Sequence, residues 1–446
     1  MPLSRRAALA SLAGLAATPA FARKAKKEAP PPAKPIADVD VAIIGAGAAG
    51  IAAARKLIAA GRKIILVEAA DRVGGRARTD QALFGSPVDL GAHWMRAGAD
   101  NPLAAMATAQ GYGLDPAPER DRLDIAGREA DAAARGAFEA SFAAIDEAIS
   151  AAGADGRDVA ASSVLPPEDD WSLTAGFLIG PYDAAVDLDQ MSTLDYANGE
   201  GGEDLFVRAG YGAVVANAAA GLPIKLSTFV SEVDWSGKTV RLKTPAGTIQ
   251  AQIAILTVST GVLASGRIAF RPALPDATQA AIAALPMGTY NRIILEIPND
   301  PYRLGADASV IFKLDNPNAL GLLANVSGGP LWFADVGGRF GKELEEESDL
   351  VTAAWAKDFL ANRFGSDLLK KIGRTHVTHW GLEGSVLGAY SAAQPGGADQ
   401  RAVLAAPIGD RLFIAGEATS RTAFATVHGA WREGERVAEA VLAKLT

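Results

Sequence analysis

Three glycines and one glutamate near the start of the chain carry the first recognisable chemistry. The motif Gly45-x-Gly47-x-x-Gly50 follows the apolar run VAII directly, and Glu68 ends the next apolar run. In such a motif the first glycine makes a tight turn, the second lets the backbone approach a pyrophosphate, and the third lets a helix pack closely on a strand. The glutamate carboxylate can accept both ribose hydroxyls, which disfavours a 2′-phosphate. The residues therefore predict a dinucleotide site that does not hold NADP.

A strand, a helix and a second strand are needed to position these residues. The run from Val39 to Ile44 predicts a short buried strand, and the segment KIILVE that ends at Glu68 predicts another. Between them, Ala and Leu recur at helical spacing up to Gly61, and the first turn of that helix contains Ala48 and Ala49. Free N–H groups at such a helix N-terminus favour an anion. This βαβ unit is the context that the glycine motif requires.

The segment after Glu68 separates FAD from NAD. Residues 68–79, EAADRVGGRART, closely resemble the flavin amine oxidase family, which includes monoamine oxidases, polyamine oxidases, histone-demethylase-type oxidases and L-amino-acid oxidases. In that family the segment wraps the flavin diphosphate. The resemblance implies that Ala69, Gly75 and Arg76 contact the cofactor, where Arg76 offers a bidentate cation. We therefore expect FAD.

A second resemblance lies at the far end of the chain. Residues 411–419, RLFIAGEAT, and residues 426–430, TVHGA, are similar to the family's C-terminal flavin segment. The resemblance implies that Gly416, Glu417, Thr426 and Val427 belong to the flavin site. A helix that begins here would direct its N–H groups at the flavin's pyrimidine oxygen and stabilise negative charge in the reduced ring.

Further similarities lie between these two ends. Residues 89–94, DLGAHW, resemble the family loop that passes near the flavin ring, and the segment from Trp380 to Pro395-Gly396 resembles the one that packs against that ring. Val230 falls where the family places a backbone contact to adenine. The additional cofactor residues implied here are Gly91, Ala92, His93, Trp94, Val230 and Trp380. The resemblance covers about residues 38–446, although the middle of the chain matches loosely.

The resemblance also implies a reaction. A hydride equivalent would leave the α-carbon of an amine for flavin N5, and the resulting imine would hydrolyse. Tyr390 matches one of two aromatic rings that flank the amine in monoamine oxidases, whereas the second position falls on Thr426, and Phe424 is close enough in sequence to replace it. Ala389 stands where monoamine oxidases carry a flavin-linking cysteine, so FAD should bind noncovalently.

The strand that bears the family's active-site lysine differs in this chain. Residues 285–297, LPMGTYNRIILEI, resemble that strand, and Arg292 matches the lysine, which holds a water at N5 and is linked to oxygen reactivity. An arginine keeps the charge but cannot release a proton. Either Arg292 takes this place, which favours a periplasmic electron carrier over oxygen as acceptor, or the strand is shifted by one residue and Arg292 faces outward. His93 is a further candidate for the pocket in front of the ring.

Other functions stay open at this stage. An L-amino-acid oxidase needs a cation for the substrate carboxylate, and Arg96 is a candidate by position. A carotenoid-type desaturase shares the glycine motif but fits the C-terminal segment less well. A flavin-binding periplasmic protein without turnover, such as an assembly factor, is the alternative outside the enzymes.

Composition and the N-terminus limit the partners and the location. Residues 1–22 read as a twin-arginine-like bacterial export signal, and residues 23–37 as a disordered linker, so we expect a periplasmic protein. Without residues 1–22 the net charge is 41 − 51 = −10, which argues against nucleic acid as partner. The chain has no cysteine. His376 and His379 would lie on opposite faces of a strand, so no metal site is expected. No apolar run beyond the N-terminus is long enough to span a membrane.

These observations predict an α/β fold with a discontinuous Rossmann-like FAD-binding domain and an α+β substrate-binding domain. The FAD-binding domain is predicted to comprise residues 38–100, 203–265 and 374–446. The substrate-binding domain is predicted to comprise residues 101–202 and 266–373, the first piece mostly helical and the second containing strands that roof the flavin. The expected partners are a small-molecule amine and, at the periplasmic location, an electron acceptor.

Overall fold

A computed structural model describes residues 36–118 and 122–445. The predicted export signal at residues 1–22 and all but the end of the predicted linker lie outside the described residues, and both stay predictions. The strands are β1 (Ala37–Ile44), β2 (Ile64–Val67), β3 (Thr79–Asp80), β4 (Val88–Asp89), β5 (Leu114–Pro116), β6 (Arg122–Ile125), β7 (Arg128–Glu129), β8 (Leu205–Val207), β9 (Ile224–Lys225), β10 (Glu232–Asp234), β11 (Val240–Thr244), β12 (Gly247–Leu256), β13 (Ala269–Arg271), β14 (Tyr290–Glu296), β15 (Ala308–Phe312), β16 (Gly321–Ala324), β17 (Leu331–Gly337), β18 (Thr375–Val377) and β19 (Leu412–Ile414).

The helices cover both ends of the chain and its middle. They are α1 (Ala48–Ala59), α2 (Pro102–Ala109), α3 (Ala132–Ala154), α4 (Ser172–Phe177), α5 (Thr193–Asn198), α6 (Tyr211–Ala218), α7 (Thr260–Ala264), α8 (Asp276–Ala284), α9 (Gly338–Glu345), α10 (Asp349–Phe364), α11 (Gln400–Ala405) and α12 (Val427–Lys444). A π-helical segment, Leu178–Ala184, follows α4 directly. Within the described residues, none of these helices has the length and apolarity that a membrane crossing needs.

The first sheet is built around β1. Its strand order is β13-β10-β11-β12-β1-β2-β9, and β19 pairs with the C-terminal half of β12. Strands β12, β1, β2 and β9 run parallel. Val41 and Ile43 pack under α1 and α12, while Ala42 and Ile44 belong to the core on the opposite face. This burial on both faces explains why β1 reads as a continuous apolar run.

The predicted βαβ unit is confirmed as β1, α1 and β2. Gly45 adopts φ +110°, a left-handed conformation that favours glycine, and it makes the turn from β1 toward α1. At Gly50 a Cβ would stand 1.9 Å from the carbonyl oxygen of Gly45, so only glycine lets α1 begin this close to the strand. Helix α1 ends as predicted, because Gly61 follows its last turn with φ +75°.

The second sheet lies mainly in the residues predicted for the substrate-binding domain. Its order is β18-β14-β17-β16-β15-β6-β7, and β14 lies between β17 and β18 in antiparallel pairings. One face packs on α10 through a core that includes Trp332, Leu360 and Phe359. The other face carries Ile294, Leu323 and Phe333 toward the segment around β4.

The two sheets give the predicted fold class, a parallel α/β part joined to an α+β part. The predicted domain bounds stay a prediction, but within the two large sheets the strand pairing differs from them at two places. Strand β13 pairs with β10 in the first sheet, and β18 pairs with β14 in the second. Each of these strands was expected in the other domain. Both strands have three residues, so composition does not mark where the chain passes from one sheet to the other.

We predict that Gly50→Ala lowers the free energy of unfolding by about 1–3 kcal/mol, because the added methyl group collides with backbone that cannot move away. Chemical denaturation followed by circular dichroism measures this. Gly136→Ala in α3 is the matched control, since a Cβ there meets nothing within 4 Å. It should leave stability unchanged or raise it by up to about 1 kcal/mol. Equal destabilisation by both variants would contradict the close-packing argument.

Candidate active site

One cavity of about 820 Å³ collects the residues that the sequence singled out. It is bounded by the carboxyl ends of the first sheet, the N-termini of α1 and α12, and the face of the second sheet. The predicted residues that line it are Gly45, Gly47, Ala48, Ala49, Glu68, Ala69, Gly75, Arg76, Gly91, Ala92, His93, Trp94, Val230, Arg292, Trp380, Tyr390, Gly416, Glu417, Thr426 and Val427. Gly50 does not line the cavity, because its role is to hold α1 against β1.

The N-terminus of α1 forms one wall of the cavity. The first bond within the helix runs from the N–H of Ile51 to the carbonyl of Gly47, at 3.0 Å. The N–H groups of Ala48 and Ala49 therefore have no partner inside the helix, and the first turn contains no acidic residue. A Cβ at Gly47 would meet nothing within 4 Å, so this backbone borders open space. The wall is suited to a pyrophosphate.

The glutamate at the end of β2 is fixed by backbone donors. Glu68 accepts hydrogen bonds from the N–H of Ala46 at 2.7 Å and from the N–H of Ala70 at 2.8 Å. It is buried, and each carboxylate oxygen keeps a further lone pair. These bonds hold the carboxylate at the cavity wall. Its contact to a ribose stays a prediction.

A glycine pair closes the turn opposite α1. Gly74 and Gly75 adopt φ of +96° and +58°, and the N–H of Gly74 donates to the carbonyl of Ala46 at 2.8 Å. A Cβ at Gly75 would lie 3.4 Å from the Cα of Gly47. The two glycine segments therefore face each other with no side chain between them. The two segments can therefore approach each other closely.

A buried carboxylate at Glu417 joins the separate segments of the cavity. Its Oε1 accepts from Arg76 Nη1 at 2.8 Å and from the N–H of Ser391 at 3.1 Å. Its Oε2 accepts from Ser391 Oγ at 2.7 Å and from the N–H of Ala425 at 3.0 Å. Behind Ser391, Arg401 is bound to both oxygens of Asp195 at 2.6 and 2.7 Å. The site thus contains a continuous buried network of opposite charges.

The geometry gives Arg76 a different partner from the expected diphosphate. Its Nη1 donates to Glu417 and, at 2.9 Å, to the carbonyl of Ala389. Burial by itself would raise the pKa of Glu417, but the charges of Arg76 and Arg401 outweigh burial and lower that pKa below its ordinary value. Glu417 is therefore an anion at neutral pH. Because Arg76 also lines the cavity, a contact of Arg76 with a diphosphate stays a prediction.

The N-terminus of α12 borders the cavity near Gly416. Thr426 is the N-cap of α12, since its Oγ1 accepts from the N–H of Gly429 at 3.0 Å and donates to the carbonyl of Ala423 at 2.7 Å. The hydroxyl of Thr426 therefore caps α12, which explains why a threonine occupies the position that matches the second aromatic ring of monoamine oxidases. A Cβ at Gly416 would meet nothing within 4 Å, so open space lies in front of this segment.

Tyrosines line the end of the cavity away from α1. The ring of Tyr390 lies 6.1 Å from that of Tyr290, which lies 6.0 Å from that of Tyr182. The hydroxyl of Tyr390 donates to the carbonyl of Asp183 at 2.9 Å. Burial, followed by the charge of Asp183, raises the pKa of Tyr390, so its hydroxyl stays protonated. The sequence reasoning missed Tyr290 and Tyr182, although Tyr290 precedes Arg292 by two residues and therefore shares its face of β14.

Arg292 points inward and is 4% exposed, so β14 is not shifted in the way that would turn it outward. Its Nε and Nη2 donate to the two oxygens of Asp335, each at 2.8 Å, and its Nη1 donates to the carbonyls of Asp89 and Gly91 at 2.9 and 3.2 Å. The guanidinium also lies 4.1 Å from the centre of the Phe333 ring. Burial would lower the pKa of Arg292, but Asp335 outweighs burial and raises it.

His93 is buried at the cavity wall. Its Nδ1 lies 2.9 Å from Oδ2 of Asp89, and its ring lies between those of Phe206 and Phe333, with centroids at 4.6 and 5.2 Å. His428, the other histidine of the flavin motifs, is occupied elsewhere, because its Nε2 lies 2.5 Å from Glu200 Oε1. Within the described residues no group of three His, Cys, Asp or Glu side chains could hold a metal ion.

Acidic side chains that the sequence reasoning missed surround the tyrosines. Asp146, Asp183 and Asp204 line the cavity together with Arg96. Arg96 is paired with Asp183, which raises the pKa of Arg96. Asp146 accepts from the hydroxyl of Tyr196 at 2.5 Å. These carboxylates come from α3, the π-helical segment and the chain before β8, so no local motif could have revealed them.

The cavity and the two sheets define a flavin-dependent oxidoreductase, and comparison with known sequences gives the family. The family model described as flavin-containing amine oxidoreductase matches residues 48–136 and 129–442. The chain belongs to this family. It is an FAD-dependent amine oxidoreductase.

Plant polyamine oxidases and histone demethylases are among the similar sequences. Polyamine oxidase 2 of Arabidopsis thaliana is 31% identical over 90% of this chain and 87% of its own length. Polyamine oxidase 4 of Oryza sativa is 30% identical over 90% and 88%. The lysine-specific histone demethylase 1 homolog 1 of Oryza sativa is 29% identical over 92% of this chain, which spans about half (52%) of that protein.

Solved structures share the fold at lower identity. A putrescine oxidase determined with putrescine has a TM-score of 0.77 and 19% identity, covering 91% of this chain and 99% of its own. The cyclohexylamine oxidase of Brevibacterium oxydans has a TM-score of 0.74 and 23% identity, covering 92% and 99%. These likenesses bear on the fold.

The cavity fits the FAD that the family uses. An elongated space is bordered by the free N–H groups of α1, the buried carboxylate of Glu68 and the open backbone at Gly47 and Gly416. Ala389 is the residue in the position predicted for a covalent link, and the chain has no cysteine, so a thioether to the flavin cannot form. FAD therefore binds noncovalently.

We predict that Glu417→Gln lowers the free energy of unfolding at pH 7 by about 3–5 kcal/mol, because it leaves the charge of Arg76 without its buried partner. The pKa of Glu417 is lowered in the folded protein, so its ionised form stabilises the fold fully above pH about 4.5 and that contribution disappears as the pH falls through the lowered value. The difference between the variant and the wild type should therefore shrink in acid.

Urea unfolding at pH 7 and at two acidic pH values tests this. Glu347→Gln, at an exposed position, is the control and should match the wild type throughout. A stability difference for Glu417→Gln that does not change with pH would show that its charge is not what stabilises the network.

Proposed function

We propose that the protein oxidises a small amine with two or more amino groups, that it passes the electrons to a carrier other than oxygen, and that it does so in the bacterial periplasm. The observation that carries the substrate assignment is the excess of carboxylates over cations at the tyrosine end of the cavity. Three carboxylates, those of Asp146, Asp183 and Asp204, line this end of the cavity. The cation beside them is the guanidinium of Arg96. Arg292 also lines the cavity, but its charge is neutralised by Asp335.

The carboxylates favour an ammonium group as the ligand. Oδ1 of Asp204 is buried and has no hydrogen-bond partner among the described residues. Burial raises the pKa of Asp204, although Arg96 counteracts part of that shift. An ammonium group would supply the missing donor and relieve the cost of burying the charge. The names of similar proteins, polyamine oxidase and putrescine oxidase, agree with this assignment.

An amino acid is a poorer fit for the same cavity. Its carboxylate would need a cation, and the nearest one, Arg96, is already bound to Asp183. Breaking that pair would leave Asp183 facing a second carboxylate. The electrostatics therefore support an amine over an amino acid.

When bound, FAD accepts the hydride that leaves the α-carbon of the amine, which gives an imine that hydrolyses. The residues of this chain orient the amine and exclude water from it. Tyr390 and Tyr290 supply the apolar walls, and their hydroxyls are held by Asp183 and Asp335. Fixed walls of this kind keep a substrate in one geometry, which lowers the entropic barrier to reaction.

The surroundings of Arg292 support an acceptor other than oxygen. Four of its five N–H groups are bound to Asp335, Asp89 and Gly91, and its charge is neutralised by Asp335. It also stays protonated at every physiological pH. A residue fixed in this way has one N–H left to donate to a water, and it cannot exchange a proton as a lysine could. The twin-arginine-like sequence at residues 1–22, outside the described residues, supports export with FAD already bound.

We predict that diamines and polyamines bleach the flavin absorbance of the purified protein without oxygen faster than monoamines or amino acids do. Asp204→Asn should raise the KM for a diamine by about tenfold, equivalent to roughly 1.4 kcal/mol for one lost ionic hydrogen bond. Glu203→Gln is the control, because this neighbouring side chain is exposed and does not line the cavity.

The same titration distinguishes the alternatives. Fastest bleaching by an amino acid would identify an L-amino-acid oxidase instead. A yellow protein that no amine or amino acid bleaches would point to a flavin-binding protein without turnover. Equal KM values for Asp204→Asn and the wild type would contradict the ammonium site.

We also predict that the reduced flavin of the wild-type protein is reoxidised more slowly by air than by an electron-accepting dye, as measured by the return of its absorbance. Arg292→Lys should accelerate the return in air by about tenfold or more, equivalent to roughly 1.36 kcal/mol of barrier. Arg363→Lys is the matched control, because Arg363 stacks on Phe359 at 3.6 Å but does not line the cavity. Wild-type reoxidation by air on the timescale of turnover would refute the proposed acceptor.

A further inference from the structure

His93 lines the cavity, and its Nε2 atom has no role in the function proposed above. The residue is 4% exposed and lines the cavity. While Nδ1 is bound to Asp89, Nε2 is buried and has no hydrogen-bond partner among the described residues. A buried polar atom that lacks a partner costs about 1–3 kcal/mol, and a ligand of the cavity that accepts this contact would remove that cost.

The ring of His93 is fixed in orientation. Phe206 covers one face at 4.6 Å with 30° between the ring planes, and Phe333 approaches at 5.2 Å and 80°. The Nδ1 edge is directed at Asp89. The edge that carries Nε2 is the one that no hydrogen-bonding group of the described residues occupies.

The protonation state follows from the partners of Asp89. Its carboxylate is buried and accepts from Thr79 Oγ1 at 2.5 Å and from the N–H of Tyr211 at 3.0 Å. A carboxylate held by donors is an acceptor toward His93 as well, which places the ring proton on Nδ1. In the neutral ring, Nε2 then carries a lone pair and can accept a proton.

Charged groups of both signs surround this ring. Asp89 is in contact with it, and Asp307, just before β15, is close enough for the His93 charge to act on its carboxylate. The cation Arg292 contacts the same Phe333 ring, at 4.1 Å from its centre.

We propose that His93 is a catalytic base that prepares the substrate. Nε2 accepts a hydrogen bond from the substrate ammonium group and takes one proton from its nitrogen, which yields a neutral amine and an imidazolium paired with Asp89. One N–H bond breaks and one forms, no electrons are transferred, and no further reactant is required. The neutral amine has the lone pair that assists loss of hydride from the α-carbon. This inference rests on the proposed amine substrate.

Rapid mixing without oxygen tests the role, with an amine that bleaches the wild-type flavin. The wild-type rate of bleaching should fall at low pH, because a protonated His93 cannot accept a proton. His93→Gln should bleach about 100-fold more slowly near pH 7, and its rate should rise only toward the pKa of the free amine. His376→Gln, on β18 and away from the cavity, is the matched control and should keep the wild-type profile.

Nitrogen NMR of the wild-type protein provides a readout that does not depend on turnover or on folding of a variant. The chain has four histidines, so ¹⁵N-histidine labelling gives few signals. With the flavin fully reduced and excess amine present, no turnover remains, and Nε2 of His93 should change from the unprotonated to the protonated range. An Nε2 signal that the amine does not move would overturn the assignment.

The outcomes separate this inference from the proposed function. If no amine bleaches the wild-type flavin, the proposed function itself fails and the base assignment fails with it. If amines bleach it and His93→Gln is slower by the same factor at every pH, His93 has a structural role only and the proposed function stands.

Discussion

The architecture of the site depends on one buried anion, the carboxylate of Glu417. Four donors reach it from three stretches of chain that are far apart in sequence: Arg76, the backbone and hydroxyl of Ser391, and the backbone of Ala425. A buried carboxylate is costly unless donors and cations surround it, so Glu417 stabilises the fold only when these three stretches meet around it. That arrangement places the glycine turn, the Tyr390 segment and the start of α12 around the same cavity.

The two ends of this cavity have walls of different kinds. Near α1 the wall is backbone, with free N–H groups and glycines that keep side chains away, and a long anionic cofactor needs such a surface. At the tyrosine end the wall is made of side chains from α3, the π-helical segment, β14 and the chain before β8. Under the proposed function, selectivity toward the amine can therefore vary without a change in how the cofactor is held.

Asp89 connects the two sheets at the point where chemistry is expected. Its carboxylate holds His93, Thr79 and the start of α6, while its carbonyl accepts from Arg292 on β14. The cation on the second sheet and the imidazole on the loop after β4 are thus fixed through one residue. Such fixed positions suit groups that must meet a substrate in a defined geometry.

The sequence by itself determined the nucleotide-binding half. The βαβ unit, the turn at Gly45, the close approach at Gly50 and the helix that begins after Thr426 follow from local patterns, because glycine conformation and helix capping depend on neighbouring residues. The family resemblance located the cavity residues, and the fold adds Glu417 as a partner of Arg76 that the resemblance did not imply. Only the tertiary structure brought Asp146, Asp183 and Asp204 to the tyrosines, turned Arg292 inward and left Nε2 of His93 without a partner. These are contacts between residues distant in sequence, and no local pattern encodes them.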